Sequence, residues 1–249
     1  MPIAFAGGMV FGSFAGVLAD RIPRGESWVG GRSRCDSCGA EIAAYDNVPV
    51  FSWLVLRGRC RHCGERISAR YPLSELAMAV LFAATVAVLG TDDLPQLALG
   101  LIFCGTLVTV TLADLERRVI PNSVLLFAAA AAAAILLASD PAALPERLLA
   151  GLGAGGFLLI AALAYPGGMG MGDVKLAAVM GLYLGAAVVP AMLVALVAGA
   201  VVGLATMARH GAGERKRAIP FGPFLALGGV VGLLAGDELL NAYLDAFVR

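Results

Sequence analysis

The chain has 249 residues, of which 59% are hydrophobic and only 14% are charged, and its mean hydropathy is +0.85. A water-soluble domain of this length could hardly enclose so much apolar surface, so the lipid bilayer is the expected surrounding. The formal net charge is zero, so nothing favours general attraction to nucleic acid, and no nucleic-acid partner is expected.

Eight apolar segments predict transmembrane helices. The first, residues 3–19, has no basic residues before it and is followed by arginines, which is opposite to the polarity of a cleaved signal peptide, so we interpret it as a retained span. The sixth and seventh are separated only by a tight turn near Gly185 to Pro190. The other seven segments are 73–90, 94–113, 121–138, 148–164, 174–188, 189–208 and 219–236. An all-α polytopic membrane protein is therefore predicted.

The positive charges alternate between the loops. Sixteen of the 18 Lys and Arg residues lie on one side, with nine of them in residues 20–72. The others on that side are Arg117, Arg118, Lys175, Arg209, Arg215, Lys216 and Arg217. Only Arg147 and Arg249 fall on the other side, and because cytoplasmic loops retain positive charge, both termini are predicted to lie outside.

A polar segment between the first two spans contains two C-x-x-C-G motifs. Cys35 and Cys38 form the first pair, and Cys60 and Cys63 form the second after 21 intervening residues. This spacing is typical of four-cysteine zinc ribbons, in which four thiolates fill the coordination sphere and the metal is structural. One alternative is a rubredoxin-like site that binds iron. The other is that the motifs bind no metal and form unligated or disulfide-linked turns. We predict a cytoplasmic four-cysteine domain over residues 20–72.

Two aspartates stand at the ends of predicted spans. Asp114 follows the third span, and Asp173 begins the sixth. By the charge pattern both reach the cytoplasmic edge of the bilayer, where acids are expensive and commonly functional. Such a pair suits an aspartic mechanism, in which an ionised carboxylate accepts a proton from water and a protonated one donates to the substrate carbonyl. The structural alternatives are an interfacial charge for Asp114 and a helix cap for Asp173.

These residues lie in segments that resemble the bacterial type IV prepilin peptidases, a family of GxGD aspartyl proteases. The resemblance covers nearly the whole chain. The matching segments are Gly12 to Phe14, Arg21 to Pro23, Ser27 and Trp28, Arg32 to Cys35, Asn47 to Pro49, Ser52 to Leu54, Arg57 to Cys60, Arg70 to Pro72 with Glu75, Asp114 to Asn122, Gly170 to Lys175, and Ile219 to Pro223.

The resemblance implies an activity and a set of site residues. Asp114 and Asp173 would be the catalytic dyad, supported by Gly170, Gly172 and Lys175 of the G-x-G-D motif. The substrates would be prepilins or pseudopilins, cut at the cytoplasmic membrane face after the glycine that ends a basic leader.

Many members of the family then methylate the new N-terminus with S-adenosylmethionine, an activity linked to the glycine that matches Gly58. The first span also departs from the family, because Gly16 stands where asparagine is common. This departure weighs against methylation more than against proteolysis.

The resemblance divides the chain into three parts: a first helix over residues 1–19, the cysteine domain over 20–72, and a seven-helix peptidase domain over 73–249. Two other functions compete with this interpretation. A proton-coupled transporter would place its acids near the middle of the membrane. A non-enzymatic zinc-binding scaffold would tolerate replacement of both aspartates.

Overall fold

The computed structural model of the protein describes residues 1–165, 168–210 and 220–247. Within these ranges the chain is helical, and its only β-type pairings are two isolated bridges in the cysteine domain. Seven segments are long and apolar enough to cross a membrane, so the all-α polytopic prediction is confirmed. Ile219, the predicted start of the last span, and the basic residues 215–217 lie outside the described ranges. The chain forms two compact units, Met1–Val88 and Leu89–Arg249.

The first unit is built on two long helices, α1 (Pro2–Arg21) and α3 (Arg70–Leu89). Their backbones touch through a small-xxx-small pattern in α1. A Cβ added at Gly8 would lie 2.5 Å from Ala79 Cα, and one at Gly12 would lie 2.6 Å from Glu75 Cα. Small residues at such an interface let membrane helices approach closely.

Glycine at position 8 is therefore expected to be required for the packing of α1 on α3. We expect Gly8→Ala to destabilise the first unit by about 1–3 kcal/mol, the usual cost of overpacking. Thermal unfolding of the detergent-solubilised protein measures this loss. Gly7→Ala is the matched control, since a Cβ at Gly7 meets nothing within 4 Å. Equal melting temperatures for the two variants would contradict the assignment.

The cysteine domain fills the segment between α1 and α3. It contains a 3-10 helix, Ala44–Asn47, and the short helix α2, Phe51–Val55. Ser52 at the start of α2 is buried, and its hydroxyl donates to the Tyr45 carbonyl at 2.9 Å. The indole N–H of Trp53 donates to the Ile67 carbonyl at 3.1 Å, which links α2 to the end of the domain.

In the described residues of the second unit there are six α-helices. They are α4 (Leu94–Arg117), α5 (Asn122–Ser139), α6 (Leu144–Ala164), α7 (Met171–Leu184), α8 (Val188–His210) and α9 (Gly222–Phe247). Small residues again set the closest packing. A Cβ at Gly155 of α6 would lie 2.9 Å from the Ala178 Cβ of α7. At the other end of α7, Tyr183 stacks on Phe103 of α4 with ring centroids 4.9 Å apart.

The longest apolar segment, Met171–Arg209, has 39 residues and holds two of the predicted spans. A 3-10 turn at Gly185–Ala187 separates α7 from α8, at the turn that the sequence predicted. Gly185 has φ +58°, a conformation that glycine adopts without strain.

The directions of α7, α8 and α9 show that the chain reverses at this turn. A Cβ at Gly236, just past the middle of α9, would meet Ala187 just before α8, whereas one at Gly199, in the middle of α8, would meet Phe221 just before α9. Helices α8 and α9 are therefore antiparallel. Helix α7 ends with Leu184 against Gly232 of α9, close to where α8 begins. The segment Met171–Arg209 therefore runs through the unit once as α7, turns, and runs back as α8. Each of the eight predicted spans thus has its own helix.

Candidate active site and metal centre

Asp114 lies in the last turn of α4 and is only 6% exposed. Its Oδ2 accepts a hydrogen bond of 3.0 Å from the backbone N–H of Gly222, the first residue of α9. A Cβ at position 222 would lie 2.7 Å from this same oxygen. Only glycine therefore lets the start of α9 approach the carboxylate so closely, and the backbone N–H then fixes the carboxylate's orientation.

Asp173 lies in the first turn of α7 and is 8% exposed. Its Oδ2 accepts a hydrogen bond of 3.1 Å from the backbone N–H of Gly170, the residue that caps the helix. The structural alternative made Asp173 the N-cap itself, but Gly170 occupies that position, and Asp173, at the third helical position, accepts from the Gly170 backbone N–H as in a capping box. A carboxylate has about four acceptor positions, and the cap occupies one of them, so capping leaves room for chemistry.

The structure brings the two aspartates together. Asp114 ends α4 and Asp173 begins α7, and the loop after Asp114 touches α7 beside Asp173, so both buried carboxylates lie at one end of the unit, where the charge of one acts on the other. Two neighbouring, mostly buried carboxylates cannot both ionise easily, so the pair tends to share one proton. A pair in that state can accept a proton with one member and donate one with the other.

The remaining residues of the G-x-G-D segment hold α7 against the loop that follows Asp114. A Cβ at Gly172 would lie 2.8 Å from the Ile120 Cβ, so this glycine permits a close contact with the loop. Lys175 Nζ donates a hydrogen bond of 2.9 Å to Asn122 Oδ1 at the start of α5. Lys175 therefore serves here to join α7 to α5.

Sequence reasoning assigned no role to Gly222, Ile120 or Asn122. Each lies in a segment that the family resemblance includes, but its partner is distant along the chain, and Gly222 is 108 residues from Asp114. The sequence feature that could have indicated a role for Gly222 is its position between Phe221 and Pro223, at the start of a predicted span. Glycine beside proline at such a position indicates a backbone that approaches something closely.

The four cysteines of the two motifs form one cluster. The Sγ atoms of Cys35, Cys38, Cys60 and Cys63 all lie within 4.8 Å of one another, and those of Cys35 and Cys63 are 3.8 Å apart. Tetrahedral zinc with Zn–S bonds of about 2.3 Å places its sulfurs about 3.8 Å apart. The cysteines are free thiols, so the disulfide alternative is wrong, and the donor set fits a tetrahedral metal ion.

The two cysteine motifs form similar turns. Gly39 N–H donates to the Cys35 carbonyl at 2.8 Å, and Gly64 N–H donates to the Cys60 carbonyl at 2.9 Å. Both glycines have positive φ, +70° and +73°. The backbone N–H groups of Cys63 and of the residue before it lower the pKa of the Cys60 thiol to about 6. The second turn thus favours the thiolate form of Cys60, which is the form that binds metal.

An ion pair links the second cysteine motif to the middle of the domain. Arg61 donates two hydrogen bonds to the Asp46 carboxylate, at 2.7 and 2.6 Å. These bonds hold the pKa of Asp46 below its usual range. The fork-shaped geometry fixes the direction of both side chains.

Gly58 packs directly on the indole of Trp53. It has φ +64°, and a Cβ would lie 2.8 Å from the indole ring. Its carbonyl accepts a hydrogen bond of 2.7 Å from Ile67 N–H. The structure therefore requires glycine here for the shape of the cysteine domain.

The fold and the site define a class: polytopic membrane proteins with a buried pair of aspartates at helix ends and a separate four-cysteine module. The Type IV leader peptidase family matches residues 101–205, and the bacterial peptidase A24 N-terminal domain matches residues 7–89. The chain belongs to the type IV leader peptidase family. Its family and its apolar helices indicate a multi-pass protein of the inner membrane.

Several curated relatives share most of the chain. A Bacillus subtilis (strain 168) protein is 34% identical over 98% of both chains. A Burkholderia pseudomallei (strain K96243) protein is 35% identical over 95% of this chain and 86% of its own. One from Legionella pneumophila is 32% identical over 86% of this chain and 75% of its own. Each is named prepilin leader peptidase/N-methyltransferase. No solved structure matches the chain.

Proposed function

We propose that the protein removes the basic leader of prepilin-like proteins, cutting after a glycine with Asp114 and Asp173 as its catalytic dyad. The observation that carries the proposal is the pair of buried carboxylates that the end of α4 and the start of α7 bring to one end of the unit. Family membership supports the same activity. A transporter does not require two acids side by side at helix ends, and a scaffold requires neither of them.

The chemistry needs one shared proton and one water molecule. The ionised aspartate accepts a proton from water as the water oxygen attacks the scissile carbonyl carbon, and the protonated aspartate donates its proton to the carbonyl oxygen. The resulting diol then collapses, the C–N bond breaks, and a proton passes to the leaving amine. The backbone N–H groups of Gly222 and Gly170 hold the two carboxylates in place during these transfers.

We place this site at the cytoplasmic face, with both termini outside. The support is the distribution of Lys and Arg among the loops, which follows the positive-inside rule throughout the chain. A leader that is still on the cytoplasmic side of the membrane would then reach the dyad.

We further propose that the protein methylates the new N-terminus with S-adenosylmethionine and that the cysteine cluster holds zinc. The names of the relatives support the first activity. The spacing of the sulfurs supports a tetrahedral ion, and four thiolates leave no open position on it. We therefore assign the zinc a structural role in the cysteine domain.

The direct experiment combines the purified protein in detergent with a prepilin and follows the mass of the pilin. Loss of the leader after its final glycine is expected, with addition of one methyl group when S-adenosylmethionine is present. An uncut pilin would overturn the proposed protease. A cut but unmethylated pilin would overturn only the methylation.

Gly222 gives a test of how the dyad is positioned. We expect Gly222→Ala to lower leader cleavage about a hundredfold, because even a 1 Å displacement of a catalytic group can cost that much. The rate of leader loss and the melting temperature are measured together. Gly153→Ala is the control, since a Cβ at Gly153 meets nothing within 4 Å. Unchanged cleavage by the Gly222 variant would remove the positioning role.

A further inference from the structure

The first unit contains a cavity of about 420 Å³ between α1, α3 and the cysteine domain. Pockets for small organic ligands start at about 300 Å³, so this one is large enough for such a ligand. Its lining includes Gly16 and Asp20 of α1, Trp53 of α2, and Tyr71 and Glu75 of α3. The cavity thus has aromatic side chains and a carboxylate on neighbouring walls.

Glu75 is a buried carboxylate that has only neutral partners. It is 7% exposed, and its Oε2 accepts a hydrogen bond of 2.7 Å from the backbone N–H of Val50. The Ser13 hydroxyl is its other hydrogen-bond partner. These bonds use two of about four acceptor positions. Within the described part of the chain Glu75 forms no ion pair, and a buried charge without a counterion is costly.

Several other charged groups that line the cavity have partners, whereas Asp36 and Arg66, which also line it, are exposed. Arg34 pairs with Glu41 at 3.0 Å, and Arg61 pairs with Asp46. Asp20 pairs with Arg24 at 2.8 Å. Arg21 donates to three backbone carbonyls, at 2.9, 3.3 and 3.5 Å. Glu75 therefore differs from these paired neighbours in being a buried charge without an ion-pair partner. A cation bound in the cavity would supply the missing counterion.

We propose that this cavity binds S-adenosylmethionine with the sulfonium centre facing Glu75, an inference that rests on the proposed methylation. A sulfonium carries a positive charge but has no N–H or O–H to donate, so a carboxylate and aromatic surfaces suit it. Trp53 supplies one aromatic surface, and Tyr71 supplies another through the part of its ring that the Arg70 guanidinium, 5.3 Å from the ring centroid, leaves uncovered. A Cβ at Gly16 would have only Tyr71 nearby, at 3.9 Å, so glycine leaves this part of the cavity open.

The charge on Glu75 also suits the direction of the reaction. The lone pair of the pilin's terminal nitrogen forms a bond to the methyl carbon, the C–S bond breaks with its electrons remaining on sulfur, and the amine loses a proton to water. The product S-adenosylhomocysteine has a neutral sulfur. Glu75 therefore attracts the methyl donor more strongly than the spent product, which favours exchange of one for the other.

The test compares two ligands that differ in this charge. Calorimetry on the full-length protein in detergent measures the Kd of S-adenosylmethionine and of S-adenosylhomocysteine. We expect Glu75→Gln to weaken S-adenosylmethionine binding about tenfold or more, the usual scale for a lost charge-assisted contact, and to change S-adenosylhomocysteine binding less than about twofold. Glutamine still accepts from Val50 N–H, so the cavity keeps its shape. Glu26→Gln is the control, since Glu26 is exposed and does not line the cavity, and both affinities should stay within about twofold.

Leader cleavage in the same preparations reports on folding. Equal weakening of both ligands by Glu75→Gln, or no weakening of either, would overturn the inference and leave methylation standing. A wild-type protein that cuts prepilin but neither binds nor uses S-adenosylmethionine would overturn the proposed methylation and this cavity assignment together.

Discussion

Asparagine in place of either Asp114 or Asp173 is expected to abolish leader cleavage while the helices stay folded. An amide has nearly the shape of the carboxylate, and its oxygen can still accept the hydrogen bond from Gly222 or Gly170. It can neither take a proton from water nor carry the shared proton. Because acid and base catalysis each contribute about 10²- to 10⁴-fold, we expect a rate loss in that range or beyond for each variant.

The measurement is the initial rate of leader loss in detergent, with melting temperature as the check on folding. Asp93→Asn is a matched control, because the Asp93 side chain at the start of α4 accepts one backbone N–H, from Gln96 at 2.9 Å, as Asp173 accepts one at the start of α7. This control separates loss of a helix cap from loss of catalysis. Wild-type cleavage by either dyad variant would refute the assignment of that aspartate.

Removal of a cysteine ligand is expected to release the metal and unfold the cysteine domain. Structural zinc contributes about 10–16 kcal/mol of binding free energy in zinc-finger peptides, far more than a segment of this size stores in its packing. We therefore expect Cys35→Ser and Cys60→Ser to lose the ion and to become sensitive to protease within residues 20–72. Elemental analysis should find one zinc per chain in the wild type and none in these variants.

Cys104→Ala provides the comparison for the metal measurement. Cys104 is buried in α4 and lies outside the four-cysteine cluster, so its replacement should leave the zinc content unchanged. If the wild type contains iron, which its thiolate absorption would reveal, the rubredoxin-like interpretation is correct and the zinc assignment is wrong. A metal-free wild type would contradict the site itself.

The helices were predictable because transmembrane character is a local property of apolar length. The first four spans match α1, α3, α4 and α5 to within three or four residues, and only the ends differ. The largest difference is at α9, which continues to Phe247 although the apolar run ends near residue 236. Acidic residues such as Asp237 and Glu238 end a hydropathy segment, but they do not interrupt the backbone hydrogen bonds of a helix.

The sequence alone determined the class of protein, the four-cysteine cluster and the two aspartates as candidates, since composition, spacing and charge alternation are all readable along the chain. Only the tertiary structure decided that Asp114 and Asp173 are buried at the same end of the unit, and that the Gly222 backbone holds one of them. It likewise decided that Glu75 is a buried carboxylate facing a cavity. Those features depend on contacts between helices that are distant in sequence, which local composition and hydropathy do not specify.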